Sequence, residues 1–237
     1  MTPVLGELVG RGVSSDVHAW TEGTVIKLFR PRFEALAAVE HERSAAIHAA
    51  GAPCPAVHAM VRVDGRTGVV FDRLGGPSLL GERGAAATLA RLHVELHDLP
   101  APQVPQLSET LASWGIDGTE PGASLFHGDL HPGNVLRHGD RWQVIDWSNG
   151  HLAPPAADVA CSVLAIGYRG VRAADASIEV HRRRLRAAER YLDTYRALRP
   201  SALHDLPTWL TTIGRILLER EPDLAFADEM TSRWIGG

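Results

Sequence analysis

Three polar side chains suited to phosphate and metal chemistry lie close together in one stretch of this chain. Asp129 and Asn134 are five positions apart in a loop, and Asp146 directly follows a short apolar run. Chemistry on a nucleotide γ-phosphate needs a base that orients the attacking hydroxyl and hard oxygen ligands that hold Mg²⁺. The carboxylates of Asp129 and Asp146 and the amide of Asn134 supply that set.

Two short apolar runs connect these side chains. Residues 135–136 and 143–145 predict two strands, and residues 138–140, which read His-Gly-Asp, predict the turn between them. A tight hairpin brings its two ends together. We therefore expect Asn134 and Asp146, which stand at those ends, to lie side by side.

The loop matches a known catalytic motif. Residues 127–136 read His-Gly-Asp-Leu-His-Pro-Gly-Asn-Val-Leu, and Ile-Asp-Trp lies at 145–147. This run resembles the aminoglycoside phosphotransferase and choline kinase-like family, whereas protein kinases carry Arg before the catalytic Asp. The resemblance implies ATP or GTP as phosphoryl donor and Mg²⁺ as cofactor. It also implies that Asp129 is the base and that Asn134 and Asp146 are the metal ligands.

A glycine-containing loop near the N terminus is a second candidate phosphate site. Residues 5–29 alternate apolar and polar positions, which predicts strands on both sides of the loop. Gly10 and Gly12 allow close approach of a phosphate to the backbone, and Ser14 and Ser15 can donate to its oxygens. A lone Gly-x-Gly by itself favours an ordinary hairpin turn, and only the lysine of a later strand shifts the balance towards a phosphate site.

That lysine is Lys27, which lies between Ile26 and Leu28 in a predicted strand. A lysine in an apolar strand needs an anionic partner. Residues 33–50 predict a helix, and we expect Glu42 on it to face Lys27. In the resembled family such a pair directs the lysine to the α- and β-phosphates. The alternative interpretation is that Glu42 is a solvated helix residue.

The order of predicted elements indicates a bilobal α+β fold of the protein-kinase-like type. Five strands and one helix precede the end of the first lobe, and helices dominate afterwards. We predict a nucleotide-binding N-lobe at 1–74 and a C-lobe at 75–237 with the catalytic loop and the acceptor-binding helices. The resemblance puts the nucleotide base beside Phe71, Asp72 and Leu74, although an aromatic strand residue such as Phe71 is often simply part of a core.

Three further residues are expected to support the loop. His127 is expected to brace it by hydrogen bonding, since a carboxylate two residues away already serves as base. His131 can brace either Asp129 or Asp146, and the sequence leaves both open. Asp158 begins a predicted helix, and in the resembled family this residue anchors the catalytic loop.

The segment after the second carboxylate points to a small hydroxyl-bearing acceptor. Only twelve positions separate Asp146 from Asp158, with no activation segment to bind a peptide. A compact atypical protein serine kinase is the first alternative. A non-catalytic nucleotide-binding regulator is the second, and it predicts damaged motif residues, which are not seen.

The C-terminal region offers two charged groups of residues. A basic helix predicted at 175–198 is expected to carry a solvated face. A cationic acceptor could use the acidic residues near the C terminus, but the sequence favours the interpretation that they face water. These acidic residues are Glu219, Glu221, Asp223, Asp228 and Glu229.

Composition narrows the classes of partner. The 237 residues include 24 Lys and Arg against 28 Asp and Glu, and the formal net charge of −4 provides no basic field for nucleic acid or an anionic membrane. The first residues lack signal-peptide features, and no apolar run is long enough to span a bilayer, so we expect a cytoplasmic protein. Cys54 and Cys161 lack metal-ligand spacing and are expected to be buried thiols. The sequence does not indicate an oligomeric state.

Overall fold

The computed structural model describes residues 4–101, 116, 122–169 and 177–235. Its N-terminal part is an antiparallel sheet whose strands are β1 (Leu8–Arg11), β2 (Ser15–Ala19), β3 (Thr24–Phe29), β4 (Val57–Val63) and β5 (Arg66–Asp72). The strand order β1-β2-β3-β5-β4 puts β3 at the centre. All five predicted strands are present, and the central one carries Lys27.

The local sequence explains the tight turn between β4 and β5. Asp64 and Gly65 both have positive φ angles, of 49° and 78°. Two-residue hairpins favour this geometry because its twist matches that of the strands, and Asp-Gly is a preferred sequence for it. The turn pairs β5 with β4, and the other edge of β5 pairs with β3, where Asp72 at the end of β5 lies opposite Thr24.

Helix α1 (Ala35–Ala49) connects β3 to β4 and packs against the sheet. Its buried residues recur at intervals of three and four positions, which puts them on one face of the helix. The face contains two charged side chains, so it contributes more than apolar packing. The buried residues are Ala37, Glu40, Arg43, Ser44 and Ile47.

The remainder of the described chain is mainly helical. Its helices are α2 (Ala85–His97), α3 (Pro155–Gly167), α4 (Ile178–Leu198), α5 (Leu206–Arg220) and α6 (Ala227–Met230), and its short strands are β6 (Ser124–Phe126), β7 (Val135–His138), β8 (Arg141–Val144) and β9 (His151–Ala153). Strands β7 and β8 form the predicted hairpin, whereas the pairing of β6 with β9 was not predicted. One apolar cluster joins α2, α3, α4 and α5. The predicted α+β architecture, a small sheet with one helix followed by a larger helical part, is confirmed.

Helix α4 departs in one place from the predicted solvated basic face. Residues 175 and 176 lie outside the described residues, and most arginines of the helix are exposed as expected. Arg184 instead donates hydrogen bonds to three backbone carbonyl groups at the end of α3. The prediction is wrong for this residue because α4 packs directly against α3.

The two cysteines are buried, as predicted from the sequence. Cys54 and Cys161 are both buried and free. Burial raises the pKa of Cys54 to about 12, so this thiol is protonated and unreactive at neutral pH. In the described part of the chain, no helix is both long and apolar enough to cross a bilayer.

Candidate active site

A cleft of about 350 Å³ is lined by the N-terminal sheet on one side and by the β7–β8 hairpin on the other. Most of the predicted nucleotide and metal residues line it, but Ser14, Glu42 and Asp129 do not. Asp129 is linked to the cleft through Asn134, whose Nδ2 donates to the Asp129 carbonyl oxygen at 3.0 Å. The predicted residues that line the cleft are Gly10, Gly12, Ser15, Lys27, Phe71, Asp72, Leu74, Asn134 and Asp146.

The glycine-containing loop is a hairpin turn that also faces the cleft. The Gly12 N–H donates to the Ser15 carbonyl at 2.9 Å and so joins β1 to β2. Ser15 itself is 3% exposed. Ser14 is tied to the neighbouring strand, because its carbonyl accepts from the Arg30 N–H at 2.9 Å. The backbone near Gly10 and Gly12 is therefore the part of the loop best placed to meet a phosphate.

The end of β5 contributes further residues to the sheet side of the cleft. Phe71 pairs with Val25 across the sheet, and both line the cleft. The Asp72 carboxylate lies 2.7 Å from Nε2 of His58. Leu74 lies just beyond the point where the strand ends. These contacts bring the predicted nucleotide-base residues together, and their role in binding stays a prediction.

Lys27 is held by two carboxylates inside the cleft. Its Nζ lies 2.7 Å from both carboxylate oxygens of Glu40 and 2.8 Å from Oδ1 of Asp146. Glu40 is 2% exposed at its side chain. The predicted partner Glu42 is exposed and makes no such contact. The predicted Lys27–Glu42 pair is therefore wrong, and Glu40 takes its place.

Helix geometry explains the error. An α-helix turns by about 100° per residue, so a position two residues from Glu40 points to nearly the opposite side. The sequence contained a usable signal, since Glu40 lies three and four positions from Ala37 and Ser44 on the buried stripe. The alanine-rich composition of α1 hid that stripe, because alanine fits either face.

Lys27 and Asp146 stabilise each other's charged forms, whereas burial raises the pKa of Glu40 to about 7 against the opposing effect of Lys27. Burial lowers the pKa of Lys27, but Glu40 and Asp146 more than offset that effect and hold it above its ordinary value. Desolvation raises the pKa of Asp146, and Lys27 overcomes this to hold it below its ordinary value. Lys27 is therefore cationic and Asp146 anionic at neutral pH. A phosphate entering the cleft meets a fixed positive charge.

Among the residues that the structure describes, no hydrogen bond reaches one side-chain oxygen of Asn134 and one of Asp146, so both oxygens could serve a metal ion. The Ile145 N–H donates to the Asn134 carbonyl at 3.0 Å, which closes the predicted hairpin and sets the two residues side by side. The Asn134 amide nitrogen is engaged by Asp129, which leaves its Oδ1. Oδ1 of Asp146 accepts from Lys27 and Ser148, which leaves Oδ2. One amide and one carboxylate oxygen fit the hard-ligand preference of Mg²⁺.

Asp158 anchors the backbone of the catalytic loop. Its two carboxylate oxygens accept from the N–H groups of His127 and Gly128 at 2.7 and 2.8 Å. Gly128 has a φ of 74°, and a Cβ at this position would clash with the Phe126 ring. The loop therefore admits glycine here and excludes the arginine that protein kinases carry at this point.

Each predicted bracing histidine contacts the loop. His127 donates from Nε2 to the Ile145 carbonyl at 3.0 Å, and its Nδ1 accepts from the Asp129 N–H at 3.2 Å. Nδ1 of His131 accepts from the Gly133 N–H at 3.0 Å. Its Nε2 lies 4.0 Å from Oδ1 of Asp129. Of the two alternatives for His131, its position therefore favours Asp129 over Asp146.

A second layer of side chains supports Asp158 from behind. His93 and His97, one turn apart in α2, lie with Nε2 at 3.0 and 3.5 Å from Asp158 Oδ2. Their Nδ1 atoms lie 2.5 and 2.6 Å from the hydroxyl groups of Tyr191 and Tyr195. Tyrosine hydroxyls that donate to Nδ1 fix the Nε2–H tautomer. This directs the His93 N–H at the carboxylate, whereas Nε2 of His97 makes no hydrogen bond with the described residues. His93 is buried and hydrogen-bonded as predicted, whereas the role of His97 was not predicted.

Acidification is expected to unfold the protein partly through His97. Burial lowers its pKa to about 4, and His93 lowers it further while Asp158 opposes the fall. An unfolded histidine titrates near 6.5, so this stability is complete above about pH 6.5 and is lost progressively towards pH 4, by about 3 kcal/mol in total. Urea unfolding at about pH 7 and about pH 4.5 should show this loss, and His97→Gln should reduce it.

His138 provides the matched control for that measurement. It is an exposed histidine of the β7–β8 hairpin, so His138→Gln should leave the pH dependence of the unfolding free energy as it is in the wild type. An equal pH dependence in His97→Gln and the wild type would contradict the assignment to His97.

Comparison with known proteins gives a family match and several similar structures. The model of the phosphotransferase enzyme family, APH, matches residues 6–116 and 105–200. No curated protein sequence matches the chain. A thermostable mutant of aminoglycoside phosphotransferase APH(4)-Ia, in ternary complex with ADP and hygromycin B, superposes with a TM-score of 0.62 at 16% identity over 98% of this chain and 94% of that one.

Two further solved structures share the fold. A putative fructosamine-3-kinase from Haemophilus somnus 129PT has a TM-score of 0.62 at 10% identity, over 98% of this chain and 92% of that one. A choline/ethanolamine kinase family protein from Mesorhizobium loti has a TM-score of 0.57 at 16% identity, over 97% of this chain and 86% of that one. Identities this low establish the fold alone, and they confirm the predicted kinase-like bilobal architecture.

Proposed function

This chain belongs to the phosphotransferase enzyme family and is a small-molecule kinase, and we propose that it transfers the γ-phosphoryl group of ATP or GTP to a hydroxyl group of its acceptor. The contact of Lys27 with both Glu40 and Asp146 carries this proposal. It places a fixed cation beside a carboxylate that retains a free oxygen. Binding of a magnesium nucleotide requires this combination at its phosphates.

The nucleotide lies in the cleft between the two proposed lobes, residues 1–74 and 75–237. Its base contacts Phe71 and the backbone at 72–74, and its phosphates lie beneath the turn between β1 and β2. Lys27 reaches the α- and β-phosphates, while Glu40 keeps the lysine extended into the cleft. The contacts among the lining residues support these positions, and ADP in the APH(4)-Ia complex shows that a protein of this fold binds a nucleotide.

Asn134 and Asp146 would hold Mg²⁺ through the oxygens that their other contacts leave free. When bound, the ion would neutralise charge on the phosphate oxygens. Asp146 would then serve both Lys27 and the metal, so Lys27 would turn its Nζ from this carboxylate towards the phosphates. Glu40 remains as its permanent partner.

Asp129 acts on the acceptor. The acceptor oxygen attacks the γ-phosphorus in line with the bond to the β-phosphate oxygen, that bond breaks, and the nucleoside diphosphate leaves. Asp129 orients the hydroxyl and receives its proton. The loop backbone is held through Asp158 and Asn134, so the backbone from which the Asp129 side chain extends is fixed before the acceptor arrives, which favours orientation of the acceptor.

The acceptor is a small molecule that carries hydroxyl groups and, in the proposal, amino groups. Hygromycin B is bound in the APH(4)-Ia complex, and the choline/ethanolamine kinase family protein suggests amino-alcohols. Of the C-terminal acids, Glu221 lies 3.5 Å from Arg169 and Glu229 lies 3.8 Å from Arg233. The charges of these two are therefore partly compensated, and the amine preference rests on the similar proteins and not on this cluster.

An acceptor panel tests the proposal directly. Purified protein with Mg²⁺ and ATP or GTP should release the diphosphate at least about tenfold faster with one or more aminoglycosides, amino-alcohols or amino sugars than with water alone. A coupled diphosphate assay measures the rate, and mass spectrometry detects the phosphorylated acceptor. Peptide phosphorylation without small-molecule products would favour a protein kinase, and nucleotide binding without any turnover would favour a regulator.

A further inference from the structure

Among the described residues, Arg169 is the one residue outside the catalytic loop that contacts the side chain of Asp129. Oδ1 of the Asp129 carboxylate is buried and receives no hydrogen bond of good geometry from the described residues. Nη1 of Arg169 lies 2.5 Å from it. The nearest alternative, Nε2 of His131, is 4.0 Å away, beyond hydrogen-bond distance. The loop contacts hold the backbone of Asp129, whereas Arg169 holds its carboxylate.

Arg169 is itself fixed from two sides. It lies just beyond the C-terminal end of α3, and its N–H donates to the Leu164 carbonyl at 3.2 Å. Arg184 of α4 donates to the carbonyl groups of Ala165, Ile166 and Arg169 at 2.8 to 2.9 Å. These carbonyls stand at a helix end, where few intrahelical donors are available. Arg184 therefore fixes the backbone from which Arg169 extends.

The guanidinium group of Arg169 also contacts Glu221, which lies just beyond α5. Its Nε lies 3.5 Å from Oε1 of Glu221. Partial burial lowers the pKa of Arg169, but Asp129 and Glu221 more than offset this and raise it above its ordinary value. The group is therefore a permanent cation held between two carboxylates. Rotation of Asp129 away from it would leave that cation partly unpaired.

The contact with Arg169 gives the two carboxylate oxygens of Asp129 different surroundings. Oδ1 is buried beside Arg169, and the side chain as a whole is 21% exposed. The exposed part therefore belongs to other atoms, which leaves Oδ2 as the oxygen that can receive the acceptor proton. Without Arg169, the carboxylate could rotate about χ1 and χ2, because no described residue would then hold either of its oxygens.

We propose that Arg169 is the positioning residue of the catalytic base, which ties Oδ1 of Asp129 and so presents Oδ2 to the acceptor hydroxyl. The inference rests on the proposed phosphotransfer function. It joins both ends of α3 to the same loop, because Asp158 in its first turn holds the loop backbone and Arg169 beyond its last turn holds the base. The helix is buried along nearly its whole length, so it fixes the distance between these two contacts.

Kinetics with matched variants test this role. Arg169→Ala is expected to lower kcat by about 100-fold while the nucleotide KM stays within about twofold, because misplacement by about 1 Å costs this much. Arg169 is half-exposed, so millimolar guanidinium can enter the vacated space and should restore kcat at least about tenfold. Arg196→Ala is the control, since Arg196 pairs with exposed Asp193 on α4 at 3.3 Å and should keep wild-type kinetics without a guanidinium effect.

Two outcomes would overturn the positioning role. One is wild-type kcat in Arg169→Ala, and the other is a loss of kcat that guanidinium does not restore. If Arg169→Ala does not fold, Arg169→Lys serves in its place. This variant keeps the charge but loses the guanidinium geometry, and a loss in kcat of about tenfold at unchanged nucleotide KM is required.

A structural measurement separates this inference from the proposed function. Crystal structures of the wild type and Arg169→Ala should show a changed Asp129 side-chain rotamer in the variant, whether or not an acceptor is known. An unchanged rotamer would overturn the positioning role. Failure of the wild type to phosphorylate any acceptor would instead overturn the proposed function and leave this structural comparison valid.

Discussion

Replacing Asp129 with Asn is expected to lower kcat by about 10²- to 10⁴-fold and to leave binding of the magnesium nucleotide within about twofold of the wild type. The amide has the shape of the carboxylate but cannot receive the hydroxyl proton. The contacts of the loop with Asp158 and Asn134 use backbone groups of residues 127–129, so they persist in the variant. Steady-state kinetics with the best acceptor of the panel and calorimetric titration with the nucleotide measure the two quantities.

Asp140 supplies the control for this experiment. It is an exposed aspartate in the turn of the β7–β8 hairpin, so Asp140→Asn makes the same chemical change close to the site but away from the reacting groups. Its kcat should equal that of the wild type. Full activity in Asp129→Asn would contradict the assignment of the base, and loss of nucleotide binding would mean that Asp129 supports the cleft and does not serve the acceptor alone.

The catalytic loop could be predicted because its geometry is local. Asn134 and Asp146 flank a hairpin whose turn and strands are all written within about a dozen residues, and hairpin pairing brings such ends together in any context. Lys27 could be recognised for a related reason, since an apolar strand with one lysine implies a buried partner for it. Chemistry and local backbone geometry were sufficient for these residues.

The carboxylate partner of Lys27 could not be identified from the local sequence pattern alone. A helix of alternating alanine and polar residues gives a weak apolar stripe, and the face that packs on the sheet is decided by the tertiary contact. The weak stripe left Glu40 and Glu42 as competing candidates, and packing selected Glu40. The strands β6 and β9 were missed for a similar reason, since three residues each are too few for periodicity to be read.

The roles of Arg169 and His97, which reach the catalytic loop from other elements, could not be predicted from the sequence. Arg169 meets Asp129 across forty positions, and His97 meets Tyr195 across ninety-eight. Such contacts depend on the packing of α2, α3 and α4. The local sequence around an arginine that follows a helix does not show whether its side chain lies on the surface or contacts the catalytic base. Arg184 shows the same limit, because helix packing turned a predicted surface cation into a cap for α3.

Replacing Glu40 with Gln is expected to raise the nucleotide KM by about 10- to 100-fold, the equivalent of one charge-assisted hydrogen bond. Without the Glu40 carboxylate, Lys27 keeps Asp146 as its only carboxylate partner among the described residues of the cluster, and its Nζ would compete with Mg²⁺ for that group. The nucleotide then has to displace the lysine from its remaining anion and also order its side chain. Initial rates at varied nucleotide concentration, with acceptor saturating, give the KM.

Glu42→Gln makes the decisive comparison, because it applies the same substitution two positions further along the same helix, on an exposed side chain. It should leave KM and kcat at wild-type values. A general effect of removing negative charge from α1 would weaken both variants equally, since each loses one unit of charge at a similar distance along the chain. Only a buried contact with Lys27 predicts that Glu40→Gln raises the nucleotide KM while Glu42→Gln leaves it unchanged. The reverse result would restore Glu42 as the partner and would mean that α1 rotates when the nucleotide binds.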